Sequence, residues 1–130
     1  MRVLYVEDDQ TNRRVMKAIL GAMHADMAEA IDGQSGIDAI LANDYDLVLM
    51  DLRMPGMDGL TAIRHIRALE SHHAKLPIIV ITADTAPTMR ADCLAGGADE
   101  VLYKPVSVKE LFAVIGRVMA SRSPALAKVV

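Results

Sequence analysis

Four short stretches of the chain, residues 3–6, 47–50, 78–81 and 101–103, are apolar almost without interruption. Runs that fail to alternate predict strands covered on both faces, as in a parallel sheet. Residues 26–30 make a fifth, weaker strand candidate. Between the runs, apolar residues recur at helical spacing. Val15, Ile19, Leu20 and Met23 share one helical face, and so do Ile37, Ile40 and Leu41. Leu60, Ile63 and Ile66 recur every three residues. Val108, Leu111, Phe112, Ile115, Val118 and Met119 form the stripe of a last helix. Start and stop signals agree with this reading. Asp58 precedes the third helix, and Ser107 stands three residues before Glu110 as a capping box. Pro87 helps to start a short fourth helix, which Gly96 and Gly97 stop.

Strand and helix therefore alternate five times, which implies a parallel sheet with helices on both faces. Right-handed crossovers make this a flavodoxin-like (βα)5 fold with strand order 2-1-3-4-5. Such sheets bind ligands beyond the carboxyl ends of their strands, at the point where the strand order reverses. The length of 130 residues supports one domain. With 52% hydrophobic and 24% charged residues, the composition is that of a globular chain and not of a disordered one. The net charge of −3 argues against a nucleic-acid binder working through a broad basic surface, and 3% aromatics argue against base stacking. No apolar run reaches the roughly 18 residues of a membrane span. The start lacks a secretory pattern, and the one cysteine, Cys93, fits a reducing compartment, so the expected location is cytoplasmic.

The residues at the strand ends carry the chemistry. Glu7, Asp8 and Asp9 follow the first strand, Asp51 the third, Thr82 the fourth, and Lys104 with Pro105 the fifth. Crowded carboxylates repel one another unless a cation neutralises them. Oxygen ligands of this kind suit Mg2+, which keeps several waters and takes one or two carboxylates plus phosphate oxygens. A lysine and a threonine nearby can hold the other oxygens of a phosphoryl group.

Four segments in this order carry a resemblance: Val-Glu-Asp-Asp at 6–9, Met-Asp-Leu-Arg-Met-Pro-Gly-Met-Asp-Gly at 50–59, Ile-Thr-Ala at 81–83 and Tyr-Lys-Pro at 103–105. The chain resembles the CheY-like receiver domains of bacterial response regulators over roughly residues 1–120. The resemblance implies that Asp51 accepts a phosphoryl group from a phosphohistidine. Asp8 would ligate Mg2+ directly and Glu7 through a water, with the Arg53 backbone carbonyl and Asp51 completing the metal site. Lys104 would pair with Asp51 and then with a phosphoryl oxygen, and Thr82 would bond another. A cis Lys104–Pro105 peptide is also implied, although trans is the commoner state of an X–Pro bond. The implied partners are a histidine kinase or histidine phosphotransfer protein docking near the first helix, and a downstream protein meeting the face of helix 4, strand 5 and helix 5. Direct contact with nucleic acid or membrane is not expected.

Several points stay open on the sequence. Either Glu7–Asp8 or Asp8–Asp9 can supply the acid pair. The end of the apolar run at Val6 and the spacing to Arg13 and Arg14 favour Glu7–Asp8, leaving Asp9 at the start of the first helix. Where many receivers carry a switching aromatic, three positions before the lysine, this chain has Val101, which puts an aromatic switch in doubt. Arg53 and Asp84 flank the site and are expected to pair across its mouth. Met54 and Met57 are read as bordering it, where a partner helix could meet them. His72 and His73 read as a solvated loop, and Cys93 as a small buried residue. The expected organisation is a receiver over residues 1–120, with 121–130 as a tail or linker remnant and no room for an output module. It is either freestanding or cut from a longer protein, and Met1 opening directly into the first strand favours a natural start. The rival class is a small Mg2+-dependent phosphohydrolase or a flavin carrier on a similar sheet. The first wants an acid where Arg53 stands, and the second a Ser/Thr/Gly-rich loop where the acids stand.

Overall fold

Three of the four apolar runs become the middle of a five-stranded parallel sheet, and the fourth becomes one of its edges. In the computed structural model, which describes residues 1–122, the strands are β1 (Arg2–Val6), β2 (Asp26–Ala30), β3 (Leu47–Met50), β4 (Ile78–Thr82) and β5 (Glu100–Tyr103). Their order is β2-β1-β3-β4-β5, every pair being parallel. The helices are α1 (Gln10–Ala22), α2 (Gly33–Ala42), α3 (Gly59–Arg67), α4 (Met89–Gly96) and α5 (Val108–Arg122). A single 3-10 turn, His72–Lys75, leads into β4 where a solvated loop is expected from the sequence.

Alternate residues of each strand feed two cores. Leu4, Val6, Val48, Met50, Ile78, Val80 and Val101 pack under α2, α3 and α4. Val3, Tyr5, Leu47, Leu49, Ile79, Ile81 and Leu102 pack under α1 and α5. This double covering is why the strands read as unbroken apolar runs. The weak candidate β2 is one of the two edge strands, half-exposed along most of its length. Among the described residues no helix is long and apolar enough to cross a membrane.

The caps form as the sequence implies. Asp9 accepts from the Asn12 N–H at 2.8 Å and Asp58 from the Thr61 N–H at 2.8 Å, each satisfying an orphan donor of a first turn. Gly97 ends α4 at φ +117°, which favours glycine. Ser107 accepts from the Glu110 N–H at 3.3 Å. Other details differ. The inner face of α1 is Met16 and Leu20, with Val15 exposed; Leu41 of α2 and Val108 of α5 are exposed too. Each of these lies about a quarter-turn from the helix's buried line, so pattern alone draws the stripe too wide. Helix α5 continues through Ser121 and Arg122. The tail reading of the remainder, residues 123–130, lies outside the described residues.

Candidate phosphoryl-acceptor site

The carboxyl ends of β1 and β3 bring Glu7, Asp8 and Asp51 together, so that one carboxylate oxygen of each lies within 4.8 Å of the others. Glu7 is 1% exposed and Asp51 5%, whereas Asp8 opens to solvent. Lys104 reaches in from the end of β5. Its Nζ lies 2.7 Å from Glu7 Oε1 and 3.6 Å from Asp51 Oδ2, so Glu7 is the nearer partner. The Lys104–Pro105 peptide is cis.

Glu7 is held from several sides that the sequence did not single out. Its Oε1 accepts from Asn12 Nδ2 at 2.8 Å and from the Tyr5 hydroxyl at 3.4 Å. Its backbone carbonyl accepts from Arg13 Nη1 at 2.9 Å, and its N–H donates to the Ala30 carbonyl at 2.9 Å. Asn12 lies five residues on, in the first turns of α1, so an i+5 acid–amide spacing was the available signal. Tyr5 gives no such signal, because it reads as one more core residue. Glu7 Oε2 is buried without a hydrogen-bond partner. A buried carboxylate oxygen left in that state is costly, and a cation resolves the cost.

The electrostatics point the same way. Burial pushes the Asp51 carboxyl up, the hydrogen bond and charge of Glu7 push it further, and Lys104 offsets only part; its pKa rises to about 7. Burial also works against Glu7, but hydrogen bonds from Asp51, Lys104 and Asn12 outweigh it and hold Glu7 at about 2. Two adjacent buried acids cannot both ionise cheaply, so the pair is pressed to keep a proton, with Asp51 pushed up and Glu7 down. Burial alone lowers a lysine, yet the two acids hold Lys104 above its ordinary value. A divalent ion reverses this logic by favouring both carboxylates in their charged form.

Thr82, fully buried, ends β4 opposite Tyr103 in the register of β5. Its hydroxyl oxygen accepts from the Asp84 N–H at 3.0 Å, which leaves its O–H free to donate. Arg53 and Asp84 form the expected ion pair. The Arg53 side chain is 76% exposed and that of Asp84 12%, so a mobile arginine rests on a fixed acid. Asp84 is fixed because its Oδ1 also accepts from the Ala86 N–H at 3.0 Å. The pair stands over an open cleft of about 540 Å³ bounded by Met54, Pro55 and Met89. Met54 is itself buried in the core, and Met57 packs against Gly33 of α2. Both residues therefore brace the loop after β3.

Gly59 explains how that loop stays tight. A Cβ there would lie 2.1 Å from the Asp51 carbonyl oxygen, so only glycine lets α3 start against the backbone of Asp51. Val101 is buried and small. Tyr103, on the same face of β5, is 39% exposed.

Comparison with known proteins places this geometry. Residues 3–116 match the family model described as the response regulator receiver domain. The chain is 36% identical over 128 residues to the sensor protein GacS of Pseudomonas syringae, covering 95% of this chain and 14% of that protein. It is 36% identical over 122 residues to the response regulator ArlR of Staphylococcus haemolyticus, covering 94% of this chain and 53% of that one. The chain thus spans about half of the one curated relative and about a seventh of the other. Among solved structures, the receiver domain of a sensor histidine kinase from Pseudomonas aeruginosa superposes with a TM-score of 0.84 at 34% identity, over 92% of this chain and 97% of that one. That neighbour is described with a magnesium ion coordinated in its active-site cleft.

Proposed function

This chain belongs to the response regulator receiver family, and from that premise we propose that Asp51 is the residue that takes the phosphoryl group. The donor is a phosphohistidine on a histidine kinase or histidine phosphotransfer protein. The observation that carries the assignment is the buried acid pair of Glu7 and Asp51 with Lys104 bonded to both and Glu7 Oε2 left unpartnered.

The residues suit the transfer in turn. An Asp51 carboxylate oxygen attacks phosphorus, the phosphorus–nitrogen bond of the donor breaks, and the electron pair leaves with the imidazole. Lys104, already between Glu7 and Asp51, is positioned to neutralise a phosphoryl oxygen. Thr82, oriented by the Asp84 N–H, donates its hydroxyl to another oxygen. Glu7, Asp8, Asp51 and the Arg53 carbonyl are the groups that would hold Mg2+. When bound, that ion supplies charge neutralisation for the transferring phosphoryl group and for the crowded carboxylates. The chain on this reading catalyses only its own phosphorylation and possible dephosphorylation, in a reducing, cytoplasmic setting that suits the free, buried thiol of Cys93.

The message leaves, on this reading, by the face of α4, β5 and α5, through a shift between two populated states. Glu100 of β5 supports it, because its carboxylate is paired with Arg90 of α4 and with Arg117 of α5, the latter at 2.9 Å. Displacement of any one of the three elements is felt by the other two. The test of the whole reading is incubation with Mg2+ and a small phosphodonor, followed by intact-mass measurement. A phosphate-sized gain in the wild type, absent from Asp51→Asn, is the expected result. Equal labelling of both proteins would move the acceptor elsewhere.

A further inference from the structure

The opposite edge of the sheet carries a second cluster that receiver chemistry does not use. The loop between α2 and β3 supplies Asp44, and the 3-10 turn before β4 supplies His72 and His73. One ligand atom of each lies within 4.8 Å of the other two, and among the described residues this is the only such group besides the acid site. His72 Nε2 stands 3.1 Å from Asp44 Oδ1, and His73 Nε2 stands 3.6 Å from the same oxygen. A tetrahedral ion with bonds of about 2.05 Å sets neighbouring ligand atoms about 3.3 Å apart. The two observed separations bracket that spacing.

One of the three ligands, His73, is also held from behind, whereas His72 and Asp44 stand exposed. Ser71 Oγ lies 2.9 Å from His73 Nδ1, which occupies that nitrogen and leaves Nε2 facing Asp44. A partner on the far ring nitrogen is how proteins orient a metal-binding imidazole. The His73 side chain is 14% exposed, so its ring is packed in place and does not swing in solvent. The two imidazoles are 4.1 Å apart between centroids. The backbone carbonyl of Asp44 accepts from Arg2 Nη1 at 3.2 Å, tying the acid's loop to β1.

We propose that Asp44, His72 and His73 form a three-ligand site for a borderline divalent transition metal, Zn2+ foremost. Two imidazoles and a carboxylate match that ion's ligand preference and leave a fourth position for water or an outside ligand. Mg2+ does not compete well here, because it prefers an all-oxygen shell. The chain therefore offers a hard site at one edge of the sheet and a softer one at the other. Adjacent histidines in sequence do not reveal this, because the third ligand comes from a loop 28 residues earlier.

The test is titration of Zn2+ into the full chain held in saturating Mg2+, followed through the imidazole NMR signals of all four histidines. His24 and His65 serve as internal references. The expected result is saturation at one ion per chain, with His72 and His73 shifting together and the two references still. His73→Gln and Asp44→Asn, tested separately so that one misfolded variant does not decide the matter, should each weaken binding about tenfold or more. Ser71→Ala, which removes no ligand, should weaken it while keeping both histidine signals responsive. Shifts spread over all four histidines, failure to saturate, or an affinity indifferent to both ligand variants would overturn the proposal and leave a hydrogen-bonded surface cluster only.

Discussion

Lys104 is bonded more closely to Glu7 than to Asp51, at 2.7 against 3.6 Å. The lysine thus secures the deeper acid first and leans on the proposed acceptor second. Removing it strands Glu7, which is 1% exposed, beside another buried carboxyl. Lys104→Ala is expected to lower stability in the absence of divalent ions by about 2–3 kcal/mol, less than for a wholly buried pair because the lysine keeps some solvent contact. Urea denaturation with and without Mg2+ checks this; the loss should narrow when Mg2+ is present.

Asp51→Asn is expected to stabilise the metal-free protein at neutral pH, by about 1–3 kcal/mol. The folded-state pKa of Asp51 is raised from 3.8 to about 7, so between those values the folded chain holds a proton that the unfolded chain has lost. Its contribution is fully present below pH 3.8 and is lost as pH rises to about 7. Glu7 acts oppositely at lower pH, since its pKa is depressed to about 2. Thermal melts in chelator across pH 4 to 8 should show the wild type losing stability relative to Asp51→Asn. Saturating Mg2+ should raise the wild-type Tm more than that of the variant.

Asp84→Ala removes the fixed half of the ion pair over the cleft. Water then approaches the acyl phosphate more freely, and the phospho-Asp51 half-life should shorten. Solvent screens the pair on its Arg53 side, so the change should be modest, about two- to fivefold. Decay of the phosphorylated form after removal of the donor measures it, and an unchanged half-life would sink the idea.

Gly59→Ala drives a methyl group into the Asp51 carbonyl. The loop or the start of α3 must shift, at a cost of about 3 kcal/mol. Phosphorylation should slow beyond what the lost stability explains, because the displaced residue is the proposed acceptor. Denaturation midpoints and phosphorylation rates on the same samples separate the two effects.

Arg67 donates to the carbonyls of Gly97, Ala74 and Leu76, at 2.9, 3.0 and 2.6 Å, and pairs with Asp99 at 3.1 Å. Arg67→Ala should cost about 2 kcal/mol, since three part-buried carbonyls lose a donor while Asp99 keeps Arg122 and the Ile78 N–H. Its rate of phosphorylation, measured well below its Tm, should match the wild type.

How far the sequence reached follows from which interactions are local. The strands β1, β3 and β4 were legible because burial on both faces leaves a signature in four consecutive residues, while β5, buried at Val101 and Leu102, left a shorter one. Asp51, Thr82 and Lys104 were legible because a parallel sheet gathers strand ends at one edge. The choice of Glu7–Asp8 over Asp8–Asp9 as the acid pair agrees with the grouping of Glu7 and Asp8 with Asp51, while Asp9 caps α1. What could not be read depends on contacts between distant segments. Asn12 supports Glu7 only once α1 has packed on β1, and Tyr5, two residues before Glu7, reads as one more core residue. The closer pairing of Lys104 with Glu7 spans 97 residues. The exposure of Val15 and the burial of Met16 turn on a rotation of α1 that its own periodicity does not fix.

The bracing by Arg67 lies at the amino edge of the sheet, and Arg122 extends it through Asp99 and the Lys75 carbonyl. The carboxyl edge instead gathers mutually repelling acids. The molecule is thus polarised along its strands, with cohesion at one pole and chemistry at the other. A saturation-mutagenesis survey scored once for abundance and once for signalling should therefore separate the poles: substitutions of Arg67 or Asp99 at the braced pole deplete both scores together, while neutralising an acid at the other pole, as Asp51→Asn does, silences the protein and leaves its abundance intact.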